Sequence, residues 1–290
     1  MEESLINIHP FTVPVGAETP FSVLHTADNH ISLADSRNDA RKIELARQRQ
    51  NAFTQNRPEL LTKRTEAIFA YAKAQNLPLL HTGDLIDFVS EANLDYARTI
   101  TRDVDFFGAV GNHEFSLYVG EAWEDEAYKA QSFSHVQTAF PGDLHFQTRI
   151  INGVRFIAMD TNYYYVTEEL FALFQQATAD PMPTVLLTHT PLYSADLYRQ
   201  YKNGKPDHMP PYLLGCPEPL LRSLNEHRYR QQKPDAVTLA FLEYCNQLPC
   251  LKAILAGHLH ESIVSHTDSG IPQYVVGAGY QADVNLYTFT

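Results

Sequence analysis

Potential metal ligands recur in five short motifs along the chain. Together they contribute carboxylate, amide and imidazole groups, which are typical ligands of divalent and trivalent transition-metal ions in proteins. This inventory suits two ions held side by side with a carboxylate between them, an arrangement that activates hydroxide for attack on phosphorus. In chain order the motifs are Asp28-Asn29-His30, Gly83-Asp84-Leu85-Ile86-Asp87, Gly111-Asn112-His113-Glu114, Thr188-His189-Thr190 and Gly257-His258-Leu259-His260.

Each motif taken alone also has an ordinary structural interpretation. An Asp-x-His triplet occurs often by chance, and Asp84 or Asp87 is equally suited to a surface turn that caps a helix. His113 fits a hydrogen-bonded histidine in a turn, and His189 fits a histidine at the edge of the core. All the motifs follow predicted strands in order, and this combination favours one shared site.

The strands are predicted from short apolar runs bounded by Gly, Asn or Asp. These runs are residues 21–26, 77–82, 106–110, 154–159, 184–188 and 251–256. Segments of helical periodicity lie between them, at residues 59–76, 91–104, 167–178 and 236–247. Pro58 precedes the first helix, where its missing N–H costs little.

Alternating strands and helices predict βαβ units and a largely parallel or mixed sheet covered by helices. In such sheets, polar residues just beyond the carboxyl ends of the strands line one crevice, so we expect the motifs to converge there. From Ile263 onwards, strand-like pieces without helices predict antiparallel strands that close the fold, and residues 7–13 are predicted to pair with them. We expect one domain spanning residues 1–290.

Composition narrows the class of protein. The formal charge of −12 disfavours general binding to nucleic acids or membrane surfaces. Three cysteines without metal-ligand spacing predict a reducing compartment. We see no basic and apolar signal sequence in residues 1–20 and no apolar run of the roughly 20 residues that a spanning helix needs. A cytoplasmic protein that does not bind membranes is therefore expected.

The set D-x-H, G-D-x-x-D, G-N-H-E, H and G-H-x-H extends from Asp28 to His260 and resembles the motifs of the calcineurin-like metallophosphoesterase family. The resemblance implies an α/β fold, namely a four-layer β-sandwich of two mixed sheets flanked by helices. It also implies a metal-dependent phosphoric ester hydrolase, a phosphatase or phosphodiesterase. The expected substrates are small anionic phosphomonoesters or phosphodiesters, nucleotides included.

The resemblance further implies a dinuclear centre with a metal-bridging hydroxide that attacks phosphorus. Mixed ligands of this kind suit Mn, Fe, Zn or Co, and their types alone do not choose among these metals. The implied ligands are Asp28, His30 and His260 for the first ion, Asn112, His189 and His258 for the second, and Asp84 as the bridge.

Two further residues receive catalytic roles from the resemblance. His113 would contact the phosphoryl oxygen or the leaving group as a general acid or charge stabiliser. Asp87 would orient and charge the His113 imidazole. Purple acid phosphatases carry a metal-binding tyrosine at the position of Asp87, so the sequence disfavours that branch of the family.

Two segments, residues 31–57 and 193–233, are interpreted as insertions beside the crevice that set specificity. The second contains seven Lys or Arg against four Asp or Glu, a local charge of +3. Interleaved Tyr198, Tyr201 and Tyr212 suit an anionic, partly flat substrate such as a nucleotide. The alternative is a solvated, charge-balanced helix pair at the domain edge.

Two other functions stay open at this point. The phrase LHTADNH at residues 24–30 resembles the opening of SbcD-type DNA nucleases, although the acidic charge opposes a polyanionic substrate and no long capping region follows the last motif. A non-catalytic interaction module on the same fold is disfavoured because such proteins usually lose ligands. The sequence does not determine the oligomeric state.

Overall fold

The computed structural model describes residues 5–119 and 126–290. Within these residues the chain forms eleven strands and eight α-helices. The strands are β1 (Asn7–Val13), β2 (Phe21–Thr26), β3 (Leu79–Thr82), β4 (Phe106–Ala109), β5 (Phe146–Ile151), β6 (Val154–Met159), β7 (Thr184–Leu187), β8 (Leu251–Ala256), β9 (Ile263–His266), β10 (Pro272–Val275) and β11 (Asp283–Phe289). The helices are α1 (Ala40–Thr54), α2 (Glu59–Ala74), α3 (Glu91–Arg102), α4 (Glu126–Gln137), α5 (Glu168–Ala177), α6 (Ala195–Lys202), α7 (Glu226–Gln232) and α8 (Ala236–Gln247).

The strands form two mixed sheets. The first sheet has the order β1-β11-β2-β3-β4, and the second has the order β5-β6-β7-β8-β10-β9. Strands β2, β3 and β4 are parallel to one another, as are β6, β7, β8 and β10. The predicted α/β architecture of two mixed sheets flanked by helices is confirmed.

The two sheets pack face to face through a shared apolar core. Val23 and Phe107 of the first sheet join Phe156, Val185 and Leu255 of the second in one buried cluster. Separate clusters bury the outer faces, the first sheet against α2 and α3 and the second against α5 and α8. The helices therefore cover both sheets and leave the loops at the strand ends to form the site.

The four predicted helices are confirmed as α2, α3, α5 and α8, with ends that differ by at most two residues. Side chains that accept a hydrogen bond from the backbone of the first turn fix three of these starts. Ser90 caps α3, Thr167 caps α5 and Asp235 caps α8. None of the helices in the described ranges has the length and apolar character needed to cross a membrane.

The prediction for the carboxyl-terminal strands was partly wrong. Strands β9 and β10 are antiparallel, and β11 is antiparallel to β2, as predicted. However, β10 lies parallel to β8, and β1 pairs parallel with β11. A short 3₁₀ turn at Gly279–Gln281 separates β10 from β11, where no helix was expected. This turn carries the chain from the second sheet to the first.

The two predicted insertions contain helices that lie at the site. Residues 31–57 include α1, and residues 193–233 include α6, a 3₁₀ turn at Glu218–Leu221 and α7. The mean hydropathy of α1 is low and its buried residues are Lys42, Ala46 and Thr54, which explains why apolar periodicity did not reveal it. The single-domain assignment stays a prediction.

Candidate metal centre

Five loops meet at the carboxyl ends of parallel strands, as the sequence predicted. They follow β2, β3 and β4 in the first sheet and β7 and β8 in the second. Each contributes at least one of the candidate ligands, and these side chains converge into two adjoining clusters.

The first cluster contains Asp28, His30 and His260, whose ligand atoms lie within 4.8 Å of one another. The His30 and His260 Nε2 atoms are 3.0 Å apart. Asp28 Oδ1 lies 3.3 Å from His260 Nε2 and 3.8 Å from His30 Nε2. The other carboxylate oxygen of Asp28 accepts the backbone N–H of His258 at 2.8 Å, so Oδ1 is the oxygen that faces the two imidazoles.

The second cluster contains Asp84, His189 and His258, again within 4.8 Å. His189 Nε2 lies 3.2 Å from Asp84 Oδ2 and 3.0 Å from His258 Nδ1. Asn112 belongs to the loop after β4 and lines the same cavity as Asp84 and His258.

Asp84 lies between the two clusters. Its Oδ1 accepts the backbone N–H of His113 at 2.8 Å. Its Oδ2 is 3.7 Å from His30 Nε2 in the first cluster and 3.2 Å from His189 Nε2 in the second. Burial favours a raised pKa for this carboxyl group, but His189 and His113 outweigh burial and hold the pKa well below its usual range. An ionised carboxylate oxygen therefore faces both clusters.

Two buried oxygens indicate that the clusters suit cations. Asp28 Oδ1 and Asn112 Oδ1 are both buried without a hydrogen-bond partner. Leaving such acceptors unpaired costs about 1–3 kcal/mol each, more for a charged group. A cation at each cluster would satisfy them, and oxygen and imidazole nitrogen are suitable donors for Mn, Fe, Zn or Co. The residues present therefore fit a pair of metal ions.

The imidazoles are held from behind in orientations that direct the remaining nitrogen into the clusters. Such outer contacts fix the tautomer and the ring orientation of metal-binding histidines. His30 Nδ1 contacts Asp87 Oδ1 at 2.8 Å, and His189 Nδ1 contacts the Thr82 carbonyl at 2.7 Å. His258 Nε2 contacts the Tyr164 hydroxyl at 2.9 Å, and His260 Nδ1 contacts the Tyr280 hydroxyl at 3.3 Å.

The backbone at the candidate ligands is strained. Five of them adopt positive φ angles although none is glycine: Asp28 (54°), His30 (49°), Asp84 (57°), His258 (70°) and His260 (56°). Left-handed conformations cost non-glycine residues about 1–3 kcal/mol each and persist only where surrounding structure enforces them. Such strain concentrates at functional sites, and here it directs the side chains inward.

Glu114 holds two of the motif loops together. Its carboxylate accepts backbone N–H groups from Gly111 at 2.7 Å, Asp84 at 2.8 Å and Ile86 at 3.1 Å. Gly111 lies so close to Asp84 that a Cβ at this position would collide with the Asp84 carboxylate and backbone nitrogen. The Gly and the Glu of this motif therefore position Asp84.

Asp87 connects the first cluster to His113. Its fully buried carboxylate accepts a hydrogen bond from His30 Nδ1 at 2.8 Å. His113 Nδ1 lies 3.1 Å from the same carboxylate and donates to the Asp87 backbone carbonyl at 2.8 Å. Arg49 of α1 donates to both carboxylate oxygens, at 2.6 and 2.9 Å. Burial favours a raised pKa for Asp87, but the hydrogen bonds from Arg49, His113 and His30 hold it well below its usual range.

The second nitrogen of His113 is therefore the one left for the cavity. His113 is 15% exposed and lines a cavity of about 480 Å³ together with Asp84, Asn112 and His258. Burial alone lowers the pKa of His113, but the carboxylates of Asp84 and Asp87 outweigh it and raise the pKa to about 10. The arrangement gives an N–H donor next to the two clusters.

Comparison with known protein families agrees with the resemblance that the sequence motifs indicated. A family model described as calcineurin-like phosphoesterase matches residues 21–262, which is most of the chain. The chain belongs to this family. No curated protein sequence matches it at a significant level.

Several solved structures resemble the chain at low sequence identity. A dimetal phosphatase from Danio rerio is 13% identical, with a TM-score of 0.50 and coverage of 92% of this chain and 91% of that one. A phosphopantetheinyl hydrolase from Mycobacterium tuberculosis is 12% identical, with a TM-score of 0.44 and coverage of 90% of both chains. A putative 5'-nucleotidase from Staphylococcus aureus is 13% identical, with a TM-score of 0.44; the match covers 90% of this chain and 49% of that one. At 13% identity, the likeness to the dimetal phosphatase extends to the fold alone.

Sequence reasoning missed several residues of this calcineurin-like phosphoesterase site. Glu114 stands within a recognised motif but received no role. Arg49 lies in the insertion at residues 31–57, and Tyr164 lies in a run of three tyrosines at residues 163–165. The composition of neither segment indicates these contacts. Tyr280 carried no sequence signal that we recognise.

Proposed function

We propose that this chain is a metal-dependent phosphoesterase that hydrolyses small phosphomonoesters or phosphodiesters. One observation carries the proposal. Six side chains from four loops place ligand atoms in two adjoining clusters, Asn112 of a fifth loop lines the same cavity, and Asp28 Oδ1 and Asn112 Oδ1 are buried without a hydrogen-bond partner. Such a costly arrangement of buried, strained polar groups is best explained by bound cations.

The residues that would hold the ions follow from the two clusters. Asp28, His30 and His260 would hold the first ion and Asn112, His189 and His258 the second, and Asp84, whose Oδ2 faces both clusters, would contribute to both. When bound, two such ions neutralise phosphate oxygens and make hydroxide available near neutral pH.

The protein's own residues then orient the ester and move a proton. His113 donates Nδ1–H to Asp87, so its Nε2–H is available to the oxygen that leaves phosphorus. Asp87 keeps the ring in this orientation and stabilises its positive charge. Arg49 in turn keeps Asp87 ionised and in place.

The size of the cavity favours small substrates. About 480 Å³ falls in the range of roughly 300–1,000 Å³ that is typical of small-molecule sites. No observation favours the nuclease alternative, and the charge of −12 opposes it. Every motif position that would bind metal carries a residue able to do so, which argues against a non-catalytic module.

Hydrolysis of p-nitrophenyl phosphate and its bis-ester tests the proposal directly. We expect chelation to abolish hydrolysis by the purified protein, and Mn²⁺, Zn²⁺, Co²⁺ or Fe²⁺ to restore it. His113→Ala should lower turnover by about 10²–10⁴-fold, the usual effect of losing a general acid, and should retain the metals. His135→Ala, at an exposed position, serves as the matched control. Failure of the wild-type protein to hydrolyse either ester with any of these metals would refute the proposal.

A further inference from the structure

One wall of the cavity comes from outside the family motifs. Segment 193–233 contributes Tyr201, Lys205, Met209, Tyr212 and Arg228 to the lining, which also includes Asp84 and His113. Tyr198 belongs to the same segment but packs against Tyr193 and the apolar cluster beneath it, and it does not line the cavity. The segment therefore presents only some of its aromatic residues to the site.

Tyr212 is held in a strained backbone conformation. Its φ angle is 54°, in the left-handed region that bulky residues avoid. Its backbone N–H donates to the side chain of the fully buried Gln232 of α7 at 3.0 Å. The next residues, Leu213 and Leu214, are buried in the core. The fold thus fixes the direction of the Tyr212 side chain on both sides.

The ring of Tyr212 lies directly beside the proposed metal ligands. It meets the ring of His258 edge to face, with centroids 5.7 Å apart and an interplanar angle of 82°. The guanidinium carbon of Arg228 lies 5.9 Å from the ring centroid. The Tyr212 ring therefore lines the cavity next to one of the two clusters.

Tyr201, the other tyrosine that segment 193–233 contributes to the lining, is almost fully buried. Lys205 Nζ lies 3.2 Å from the centroid of the Tyr201 ring and pairs with Glu261 at 2.6 Å. Tyr201 is only 3% exposed. Tyr212, which is half-buried, is therefore the tyrosine of this wall that is best placed to contact an incoming ring.

We propose that Tyr212 is a specificity-determining residue that packs against a planar aromatic group on the alcohol side of the phosphoester. This inference rests on the proposed function and deepens it by naming the substrate class: phosphoesters whose leaving group carries an aromatic ring close to the scissile bond. The strained backbone and the buried Gln232 contact keep the Tyr212 ring in position before the substrate arrives. Contacts between aromatic rings add about 0.5–1.5 kcal/mol beyond area burial, which corresponds to about 2- to 12-fold in kcat/KM.

Benzyl phosphate and cyclohexylmethyl phosphate provide the test. Both are esters of primary alcohols of similar size, so they differ mainly in the planarity of the ring. We expect the wild-type protein to prefer the benzyl ester in kcat/KM, and Tyr212→Leu to reduce that preference by about 2- to 12-fold. Tyr212→Phe should keep the preference, because it retains the ring. If the enzyme hydrolyses only diesters, the corresponding methyl diesters replace both substrates.

Tyr198→Leu is the matched control, since it removes a tyrosine of the same segment that does not line the cavity. An equal loss on both esters in Tyr212→Leu would mean that Tyr212 only supports the fold, and would overturn the inference. An unchanged preference would overturn it too. These outcomes leave the proposed function intact, because that function fails only if the wild-type protein hydrolyses no phosphoester.

Discussion

Replacement of Asp87 by asparagine tests the two roles of this carboxylate, which stabilises the charged His113 ring and orients His30. Asp87 is fully buried and faces His30, His113 and Arg49 at distances of 2.6 to 3.1 Å. Asparagine keeps the shape but offers one acceptor oxygen in place of two. At least one of the three donors must therefore face an amide NH₂ group.

The structure sets the expected size of the effect. A hydrogen bond to a charged group contributes about 1.5–3 kcal/mol, which corresponds to about 10- to 150-fold in rate. We expect kcat of Asp87→Asn to fall by this factor at saturating metal, since the carboxylate stabilises the charged His113 ring. Metal affinity should fall as well, because Asp87 also holds His30.

A double-mutant cycle tests whether Asp87 affects turnover through His113. If Asp87 acts on turnover through His113, then His113→Ala combined with Asp87→Asn should be about as active at saturating metal as His113→Ala alone. Turnover of p-nitrophenyl phosphate, metal content and thermal unfolding should be followed for all four proteins. Effects on kcat that simply multiply, or wild-type turnover in Asp87→Asn, would refute this reasoning.

Three further predictions test the surroundings of the site. Arg49→Met should lower kcat by about 10- to 100-fold, the usual range for residues that hold catalytic groups, while Arg49→Lys should recover part of the loss. If both variants were as active as the wild type, Arg49 would not be needed to hold Asp87. Gly111→Ala should displace Asp84 and reduce metal affinity by at least about 10-fold in calorimetric titrations. Gly204→Ala introduces strain at a φ angle of 74°, but its Cβ meets nothing within 4 Å, and this variant should bind metal normally. Burial and neighbouring His81 lower the pKa of His25 to about 3, so between pH 6.5 and 3 the unfolded chain binds a proton at His25 that the folded chain does not bind. His25 alone should therefore lower the free energy of unfolding by about 1.4 kcal/mol per pH unit as the pH falls from 6.5 towards 3. Denaturant unfolding of His25→Gln should show a slope smaller by one proton than the wild type, and an unchanged slope would count against a buried neutral His25.

The convergence of the motifs could be predicted because it depends on local patterns. Asp28, Asp84 and His258 follow short apolar strands, and parallel strands place their carboxyl ends at one edge of a sheet. The helix at Ala236–Gln247 was predicted to the residue from its helical periodicity, which is a local signal, and the structure shows that Asp235 caps it. Information of this kind needs no knowledge of distant contacts.

The supporting residues could not be predicted because their roles arise from tertiary contacts. Arg49 belongs to a polar helix without a clear apolar face, and only packing brings it to Asp87. Tyr164 reaches His258 from a loop with a positive φ angle, which no propensity predicts for tyrosine. The parallel pairing of β10 with β8 likewise depends on where the second sheet places its edge, not on the sequence of either strand.

Anomalous diffraction from crystals grown with Mn²⁺ tests the central claim most directly. We predict two strong peaks per chain, one among Asp28, His30 and His260 and one among Asn112, His189 and His258, with Asp84 in contact with both. The group of His30, Asp87 and His113 also has ligand atoms within 4.8 Å of one another, but we expect no peak there. A single peak, or a peak at that third group in place of the other two, would contradict the dinuclear centre.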